Sequence, residues 1–226
     1  MTPNTKDRIL DTAQRLFADE GVGVTSLRDI TKEAEVNLAA VNYHFGSKEE
    51  LLKAILERNL RPINNERIAL LDKLHNKNEG TSPAIEDILS AFLGPPFYAW
   101  AALDTTEEKQ KGLKFLRFLG QCHSASEEVR ASLFNQFDQV VVRYTEALQK
   151  ALPNLEPDEV KRRMEFTLGA MSHTMILFEL TATNESDQET PKQLFESLIR
   201  FAAAGFSTSK LQTTSKKTLS KKDKQQ

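Results

Sequence analysis

The fold of this chain is decided by a stretch near its N-terminus, NLAAVNYHFGSKEEL, residues 37–51. The stretch opens as a very short helix, breaks at Gly46, and continues as a second helix that Ser47 caps together with Glu50. Upstream, Ser26 and Asp29 form another capping box, at the start of a helix that ends close to the first. Short capped helices in this succession predict a helix-turn-helix.

The short helix carries side chains that suit contact with bases. With about 3.6 residues per turn, Leu38, Val41 and Phe45 share one face, which we expect to pack on a core. An asparagine amide on the opposite face can pair with an adenine edge in the major groove, and alanines permit close approach to thymine methyl groups. The outward residues are Asn37, Ala39, Ala40, Asn42 and Tyr43.

Hydroxyl groups and cations near the helix starts suit contact with phosphate. The full set of predicted DNA-binding residues is Thr25, Ser26, Arg28, Asn37, Leu38, Ala39, Ala40, Asn42, Tyr43, His44 and Lys48. Some have a second interpretation that the sequence leaves open. Asn42 could be a cap or a solvent-facing amide, His44 could brace the turn, and Ser26 could be a cap and a phosphate contact together.

Residues 6–55 resemble the N-terminal domain of the TetR family of bacterial transcriptional regulators. The matching residues are Ile9, Ala13, Leu16, Phe17, Gly21, residues 25–30, Ala34, Val36 and residues 43–51. Residues 37–45 resemble a fatty-acid-responsive, PsrA-like subgroup, and weaker likenesses occur at residues 115–120 and 166–170. The resemblance implies that Tyr43, His44 and Lys48 meet the DNA backbone. Where many family members have glycine in the turn, this chain has Glu35.

Composition limits the classes of function. The formal net charge is −2, and residues 1–60 hold eight Lys and Arg against ten Asp and Glu. Any DNA-binding face must therefore concentrate its cations, for which Arg28, Lys48 and the expected N-terminal arm residues Lys6 and Arg8 are candidates. Cys122 is the only cysteine, so we expect no disulfide and no cysteine-based metal site. We predict a cytoplasmic protein with no membrane span, cofactor or metal.

The periodicity is helical almost throughout, which predicts an all-α chain with a larger C-terminal helical bundle. We assign residues 1–48 to the DNA-binding domain, 49–206 to effector binding and dimerisation, and 207–226 to a disordered basic tail. Prolines predict a bend near residues 58–63 and a helix end at residues 94–96. One helix is expected between Ser124 or Ser126 and Pro153.

Large apolar side chains in the C-terminal part predict an effector pocket. The resemblance implies a cavity here, and methionine and aromatic side chains suit a long acyl chain. The alternative for each single residue is ordinary core packing. Arg117, Gln121 and His123 could meet a carboxylate or thioester, although Arg117 could equally be salt-bridged on the surface. The predicted ligand-binding residues are Phe92, Phe97, Trp100, Phe115, Arg117, Phe118, Gln121, Phe137, Met171 and Met175.

The final two helices carry broad apolar faces that could pack against a second copy of the chain. Phe166, Met171, Met175 and Phe178 lie on one helix, and Leu194, Leu198, Phe201 and Ala202 lie on the other. Small residues nearby would let the backbones approach closely. The resemblance implies a four-helix homodimer interface, and the alternative is packing within one protomer.

The sequence therefore predicts a homodimeric repressor that binds inverted-repeat DNA and is released by a hydrophobic effector, a long-chain fatty acid or acyl-CoA. Within the family, the rival is a multidrug or aromatic-compound sensor that controls an efflux operon. An adaptor that binds protein alone is the rival of another class. An enzyme is excluded because no phosphate loop, nucleophile elbow or metal-ligand spacing occurs in the sequence.

Overall fold

The computed structural model describes residues 4–78, 80–103, 105–181 and 191–208, and the regular elements within them are all α-helices. The predicted all-α class is confirmed. The helices are α1 Thr5–Asp19, α2 Leu27–Glu33, α3 Leu38–His44, α4 Lys48–Lys77, α5 Ile85–Ala101, α6 Thr106–Ser124, α7 Glu127–Phe134, α8 Asp138–Ala151, α9 Pro157–Thr181 and α10 Pro191–Ser207. The predicted tail lies outside the described residues from position 209 onward.

Side-chain caps fix the starts of α2, α3 and α4. Ser26, Asn37 and Ser47 each accept a hydrogen bond from the backbone N–H three positions later. Asp29 also accepts a bond from the backbone N–H of Ser26 at 2.9 Å, which completes the predicted capping box. Because α2 and α3 have only seven residues each, these caps stabilise helices too short to persist alone.

Glu35 adopts a strained backbone conformation in the turn between α2 and α3. Its φ is 52°, in the left-handed region that favours glycine. Replacing Glu35 by glycine is expected to raise the free energy of unfolding by about 0.5–1 kcal/mol, because the relief of strain exceeds the extra entropy of the unfolded chain. Chemical denaturation measures this change. Lys32→Gly, within α2, is the matched control and should destabilise by about 1 kcal/mol; a destabilised Glu35→Gly variant would contradict the account.

Helix α5 continues through Pro95 and Pro96 to Ala101, so the predicted helix end at residues 94–96 is wrong. A proline at position 96 cannot donate to the carbonyl of Phe92, four residues earlier. The Nε of Arg67, on α4, donates to that carbonyl at 2.7 Å instead. A long-range side-chain bond therefore satisfies the group that the proline leaves open.

The single helix predicted up to Pro153 is divided into α7 and α8 by a turn at residues 135–137. A buried amide holds this turn, since Asn64 Nδ2 donates to the carbonyl of Gln136 at 2.7 Å. Asn64 belongs to α4, so the bond joins segments 72 residues apart. The turn places Phe137 beside the interior of the bundle, where it contacts the guanidinium of Arg67.

Helix α4 contributes buried residues to both hydrophobic cores of the molecule, whereas α6 belongs to the smaller core and also packs against α9. Phe118 and Cys122 are fully buried with the α1–α3 helices, and the ring of Phe118 stacks on that of Phe17 with centroids 6.2 Å apart. The larger core consists of α5, α8, α9, α10 and the second half of α4. The helix-turn-helix unit is therefore packed against α4 and α6 and does not stand as a separate body.

Candidate nucleic-acid interface and effector cavity

The outer face of α3 is open to solvent. Val41 is fully buried and anchors the helix to the core, while Asn42 is exposed and Tyr43 is 85% exposed. The amide of Asn42 makes no side-chain hydrogen bond within the described part of the chain. The ring of Tyr43 lies edge-on to that of its neighbour His44, with the two centroids 5.2 Å apart. A rigid short helix thus presents an amide and a phenol outward.

Two of the residues expected to face inward on α3 do so only in part. Leu38 is 43% exposed, so its assignment to the buried face is wrong, and Phe45 is half-buried beyond the last turn of the helix. A helix of two turns can bury only its central apolar position, because its ends lie past the edge of the supporting helices. The exposed Leu38 remains a candidate for apolar contact at a groove.

Two predicted polar contacts are already engaged in capping. The Oδ1 of Asn37 accepts a bond from the N–H of Ala40 at 2.8 Å, which leaves its Nδ2 as the donor available for DNA. The hydroxyl of Ser26 donates to Asp29 at 2.5 Å and also accepts a bond from the Asp29 N–H. The hydrogen bonds that the Ser26 hydroxyl and the Ser26 backbone N–H donate to the Asp29 carboxyl hold the pKa of that carboxyl below its usual range. Both residues therefore position the helices first.

Thr25 does not face solvent, so the prediction that it contacts a phosphate is wrong. The residue is fully buried, and its hydroxyl donates to the carbonyl of Gly21 at 3.0 Å. Gly21 itself turns the chain after α1 with a φ of 97°. Thr25 therefore fastens the loop before α2 to the end of α1, and we remove it from the proposed interface.

Arg28 is an exposed cation in the first turn of α2, the helix that packs against α3. It forms no ion pair among the described residues, whereas Arg15 is engaged with Glu33 at 2.7 Å. Lys48 is half-buried and its Nζ lies 5.9 Å from the ring centroid of Phe17. Lys6 and Arg8 are exposed in the first turns of α1, so the expected arm is helical there.

An apolar cavity of about 170 Å³ lies within the larger bundle. It is walled by α4, α5, α6 and α9 and by the turn before α8. Among the described residues, no carboxylate lines it. The lining residues are Leu60, Ile63, Arg67, Pro96, Phe97, Ala99, Leu103, Gly112, Phe115, Leu116, Leu119, Phe137, Met171 and Met175.

Half of the predicted ligand-binding residues line this cavity, namely Phe97, Phe115, Phe137, Met171 and Met175. Phe92 and Phe118 are fully buried in the two cores and do not line it, which favours their core interpretation. Arg117 points to the other side of α6, where its guanidinium lies 3.8 Å from Asp19. The side chain of Trp100 lies outside the described residues.

The prediction that α6 supplies the polar groups for the effector's head group is wrong. Arg117 is half exposed and Gln121 lies near Gly21 at the N-terminal core, away from the cavity. His123 is exposed, with its ring edge-on to Phe134. The polar group that does line the cavity is Arg67, which the sequence analysis missed. The sequence pattern that could have indicated its burial is the spacing of α4, in which Arg67 falls on the same helical face as Leu60, Asn64 and Leu71.

Helices α9 and α10 leave two large aromatic side chains on the surface of the protomer. Phe166 is 66% exposed and Phe201 is 68% exposed. Met171, Leu198 and Ala202, which were predicted at the same interface, are buried within the protomer, and Met175 lines the cavity. The side chain of Phe178 lies outside the described residues.

Comparison with known proteins shows the family. Residues 9–55 match the family model described as bacterial regulatory proteins, tetR family, and residues 96–205 match that described as tetracyclin repressor-like, C-terminal domain. The chain belongs to the TetR family. The two matched regions contain the α2–α3 pair and most of the cavity wall.

Regulatory proteins from other bacteria are similar in sequence to part of this chain. The transcriptional regulator AcrR from Shigella flexneri is 45% identical over 53 residues, 24% of this chain and 25% of that protein. The regulator IcaR from Staphylococcus aureus, named for the biofilm operon icaADBC, is 26% identical over 131 residues, 58% of this chain and 60% of that protein. The chain spans about a quarter of the length of the first curated relatives it matches.

Solved structures extend the likeness along the chain. A transcriptional regulator from Aquifex aeolicus has a TM-score of 0.51 and 25% identity, covering 88% of this chain and 97% of that chain. The fatty acid degradation regulator FadR from Bacillus halodurans has a TM-score of 0.60 and covers 92% of this chain and 100% of that chain. Its identity of 15% shows a shared fold alone.

The prediction that the chain is not an enzyme agrees with a family and relatives that are regulatory proteins. Among the described residues, no helix is both long and apolar enough to cross a bilayer. Within the same part of the chain, His, Cys, Asp and Glu side chains form no group of three that could hold a metal ion.

Proposed function

We propose that this chain is a homodimeric, cytoplasmic repressor that binds an inverted-repeat DNA site through α3 and leaves it when an apolar effector enters the cavity. The observation that carries the proposal is the outer face of α3. The exposed Asn42 and the 85%-exposed Tyr43 project there, and among the described residues neither side chain makes a hydrogen bond; Arg28, on the neighbouring α2, is exposed and forms no ion pair in the same part of the chain. An amide, a phenol and a guanidinium on a capped helix match the chemistry of base edges and phosphates.

A dimer would place two copies of α3 on one face of the duplex. A two-fold axis favours half-sites whose centres lie about one helical turn, ~34–36 Å, apart. Phe166 and Phe201 supply exposed apolar area, and small residues lie beside them. A Cβ added at Gly169 or Gly205 would meet no atom within 4 Å from the rest of the described protomer, apart from the adjacent residues and backbone of its own helix. Glycine is therefore not required there by packing within one copy, and close approach of a second copy would use the space.

The effector would act through the helices shared by the cavity and the DNA-binding unit. Leu60 of α4 and Phe115, Leu116 and Leu119 of α6 line the cavity. On the same helices, Leu51 and Phe118 are fully buried against the helix-turn-helix core. A ligand that fits better when these helices move apart would shift the separation of the two α3 helices, and only that difference in affinity can drive release.

The cavity favours an uncharged or anionic apolar effector of the fatty-acid type over a cationic drug. No carboxylate lines it within the described part of the chain, and its one charged lining group is a cation. The present volume of about 170 Å³ is close to that of an apolar cavity that holds benzene, about 150 Å³. A long acyl chain would therefore have to displace the surrounding side chains.

Filling the cavity is expected to uncouple the effector from DNA. Met175→Trp adds an indole to a half-buried cavity wall, so an effector should lose about tenfold or more in affinity while operator binding without effector stays unchanged. Fluorescence anisotropy of a labelled operator, titrated with effector, measures the shift. Val142→Trp on the exposed face of α8 is the control, and an unaltered release curve for Met175→Trp would place effector binding elsewhere.

The test of DNA binding is a titration of the whole protein against duplex fragments at several salt concentrations. The proposal predicts retardation at low salt and an affinity that falls steeply as salt rises, because phosphate contacts release counterions. A protein-binding adaptor would show no salt-dependent affinity for DNA. Absence of binding to every fragment in dilute buffer would overturn the proposal.

A further inference from the structure

A buried arginine lies at the apolar cavity with no anionic partner in the part of the chain that the structure describes. Arg67 is 1% exposed and belongs to the middle of α4, where it lines the cavity together with Met171. Its guanidinium carbon lies 4.8 Å from the ring centroid of Phe92 and 5.6 Å from that of Phe137. Among the described residues, no carboxylate forms a salt bridge with it. An uncompensated buried charge is costly, so its presence needs an explanation.

The hydrogen bonds of Arg67 use only part of the guanidinium. Nε donates to the Phe92 carbonyl at 2.7 Å and Nη1 donates to Asn64 Oδ1 at 2.9 Å. Nη2 reaches only the thioether sulfur of Met171, at 3.5 Å. A guanidinium has five N–H donors, and sulfur is a weak acceptor. Burial lowers the pKa of Arg67 to about 10, so the group is still protonated at neutral pH.

Structural roles account for Nη1, which bonds the amide of Asn64, and for the Nε edge. That edge replaces the N–H that Pro96 cannot offer to the Phe92 carbonyl. A neutral amide could make the same bond without carrying a charge into the interior. The Nη2 edge, in contrast, lies beside a cavity-lining sulfur and lacks an oxygen acceptor among the described residues. This edge is the part of the side chain left for a ligand.

We propose that Arg67 anchors the carboxylate of the effector, whose apolar body fills the cavity between α4, α6 and α9. The proposal rests on the effector-binding role proposed above and names the chemical class of the effector as a small amphipathic carboxylate. Charge-assisted hydrogen bonds from a guanidinium to a carboxylate are stronger than neutral ones. The aromatic and aliphatic walls, including Phe97, Phe115 and Met175, supply the apolar contact.

The size of the cavity selects the length of the apolar body. At about 170 Å³ it holds a body close to benzene in size without rearrangement. We choose octanoate as the probe, because its flexible seven-carbon tail exceeds such a body only modestly, with octan-1-ol as its uncharged counterpart of equal chain length. Octyltrimethylammonium carries the opposite charge and should be excluded by the buried cation.

The experiment measures the affinity of the full-length protein for the three probes by isothermal titration calorimetry at neutral pH. Octanoate is expected to bind about tenfold or more tightly than octan-1-ol, and octyltrimethylammonium should show no binding. Arg67→Gln should reduce the ratio of the two affinities to about one while octan-1-ol still binds. Arg67→Lys, which keeps the charge, should retain part of the preference.

Arg61→Gln is the matched control, because Arg61 lies on the same helix but is exposed and paired with Glu57. It should keep the full preference for octanoate. Equal affinities for octanoate and octan-1-ol in the natural protein, no binding of either probe, or an unchanged preference in Arg67→Gln would overturn the proposal. The comparison of octanoate with octan-1-ol in the natural protein tests the proposal even if the Arg67→Gln variant does not fold.

Operator binding measured without probes separates this proposal from the proposed function. DNA binding without a preference for carboxylate refutes the anchor and leaves the repressor assignment standing. A preference for carboxylate without DNA binding supports the anchor and refutes the repressor assignment.

Discussion

Replacing Phe166 and Phe201 together by glutamate is expected to lower operator affinity by about 100-fold or more. The two rings are about two-thirds exposed in one protomer, and they lie on helices whose nearby glycines have open space above them. Four like charges brought into one symmetric interface would oppose its formation, because they repel one another and are costly to bury. A monomer has only one α3 for a two-half-site operator and loses the advantage of linked binding.

Sedimentation velocity and operator anisotropy on the same samples measure the effect. Val142→Glu is the control, since Val142 is an exposed apolar residue on α8, which is neither of the two helices of the proposed interface. The control should remain dimeric and bind DNA normally. A double variant that stays dimeric and keeps its operator affinity would show that these rings do not form the interface.

Asn42→Ala is expected to abolish discrimination at one base pair in each half-site. The amide of Asn42 is exposed on α3 with no side-chain hydrogen bond among the described residues, so its removal leaves the fold intact. A bidentate contact with a base is worth about 1–3 kcal/mol, and the dimer makes it twice. Affinity for the preferred operator should therefore fall by about 30-fold or more, while affinity for an operator changed at that base pair should hardly alter.

Arg28→Ala is the comparison that separates base contact from phosphate contact. Arg28 is exposed and unpaired within the described part of the chain, so its loss should weaken all sequences alike and reduce the salt dependence of binding. Anisotropy titrations on operators substituted one base pair at a time distinguish the two patterns. The two assignments would be reversed if Asn42→Ala weakened binding to all operators equally and Arg28→Ala abolished discrimination between base pairs.

Local signals in the sequence were sufficient for the helix-turn-helix. Ser26, Asn37 and Ser47 cap the helices that the sequence assigns to them, because a cap depends on residues only three positions apart. The exposure of Asn42 and Tyr43 follows from helical periodicity in the same way. The positive φ of Glu35 also agrees with the turn that the sequence indicates.

Bonds between distant segments account for what the sequence could not show. Arg67 bonds the α5 carbonyl that Pro96 leaves open, 25 residues away along the chain, and the turn between α7 and α8 is held by Asn64. Thr25 was assigned to the surface because a hydroxyl at a helix start suits phosphate, whereas the structure buries it against Gly21. The prediction that Arg117 contacts the effector's head group was wrong for a related reason. Periodicity shows that α6 has two faces, but it does not show which face meets the cavity.

Selection of bound duplexes from a random pool by the full-length protein tests the central claim most directly. The account predicts enrichment of an inverted repeat with half-site centres about one helical turn, ~34–36 Å, apart. It also predicts that the same selection with Asn42→Ala loses one conserved base pair in each half-site. A pool that remains random with the natural protein, or an identical consensus recovered with Asn42→Ala, would contradict the claim that the outer face of α3 reads DNA.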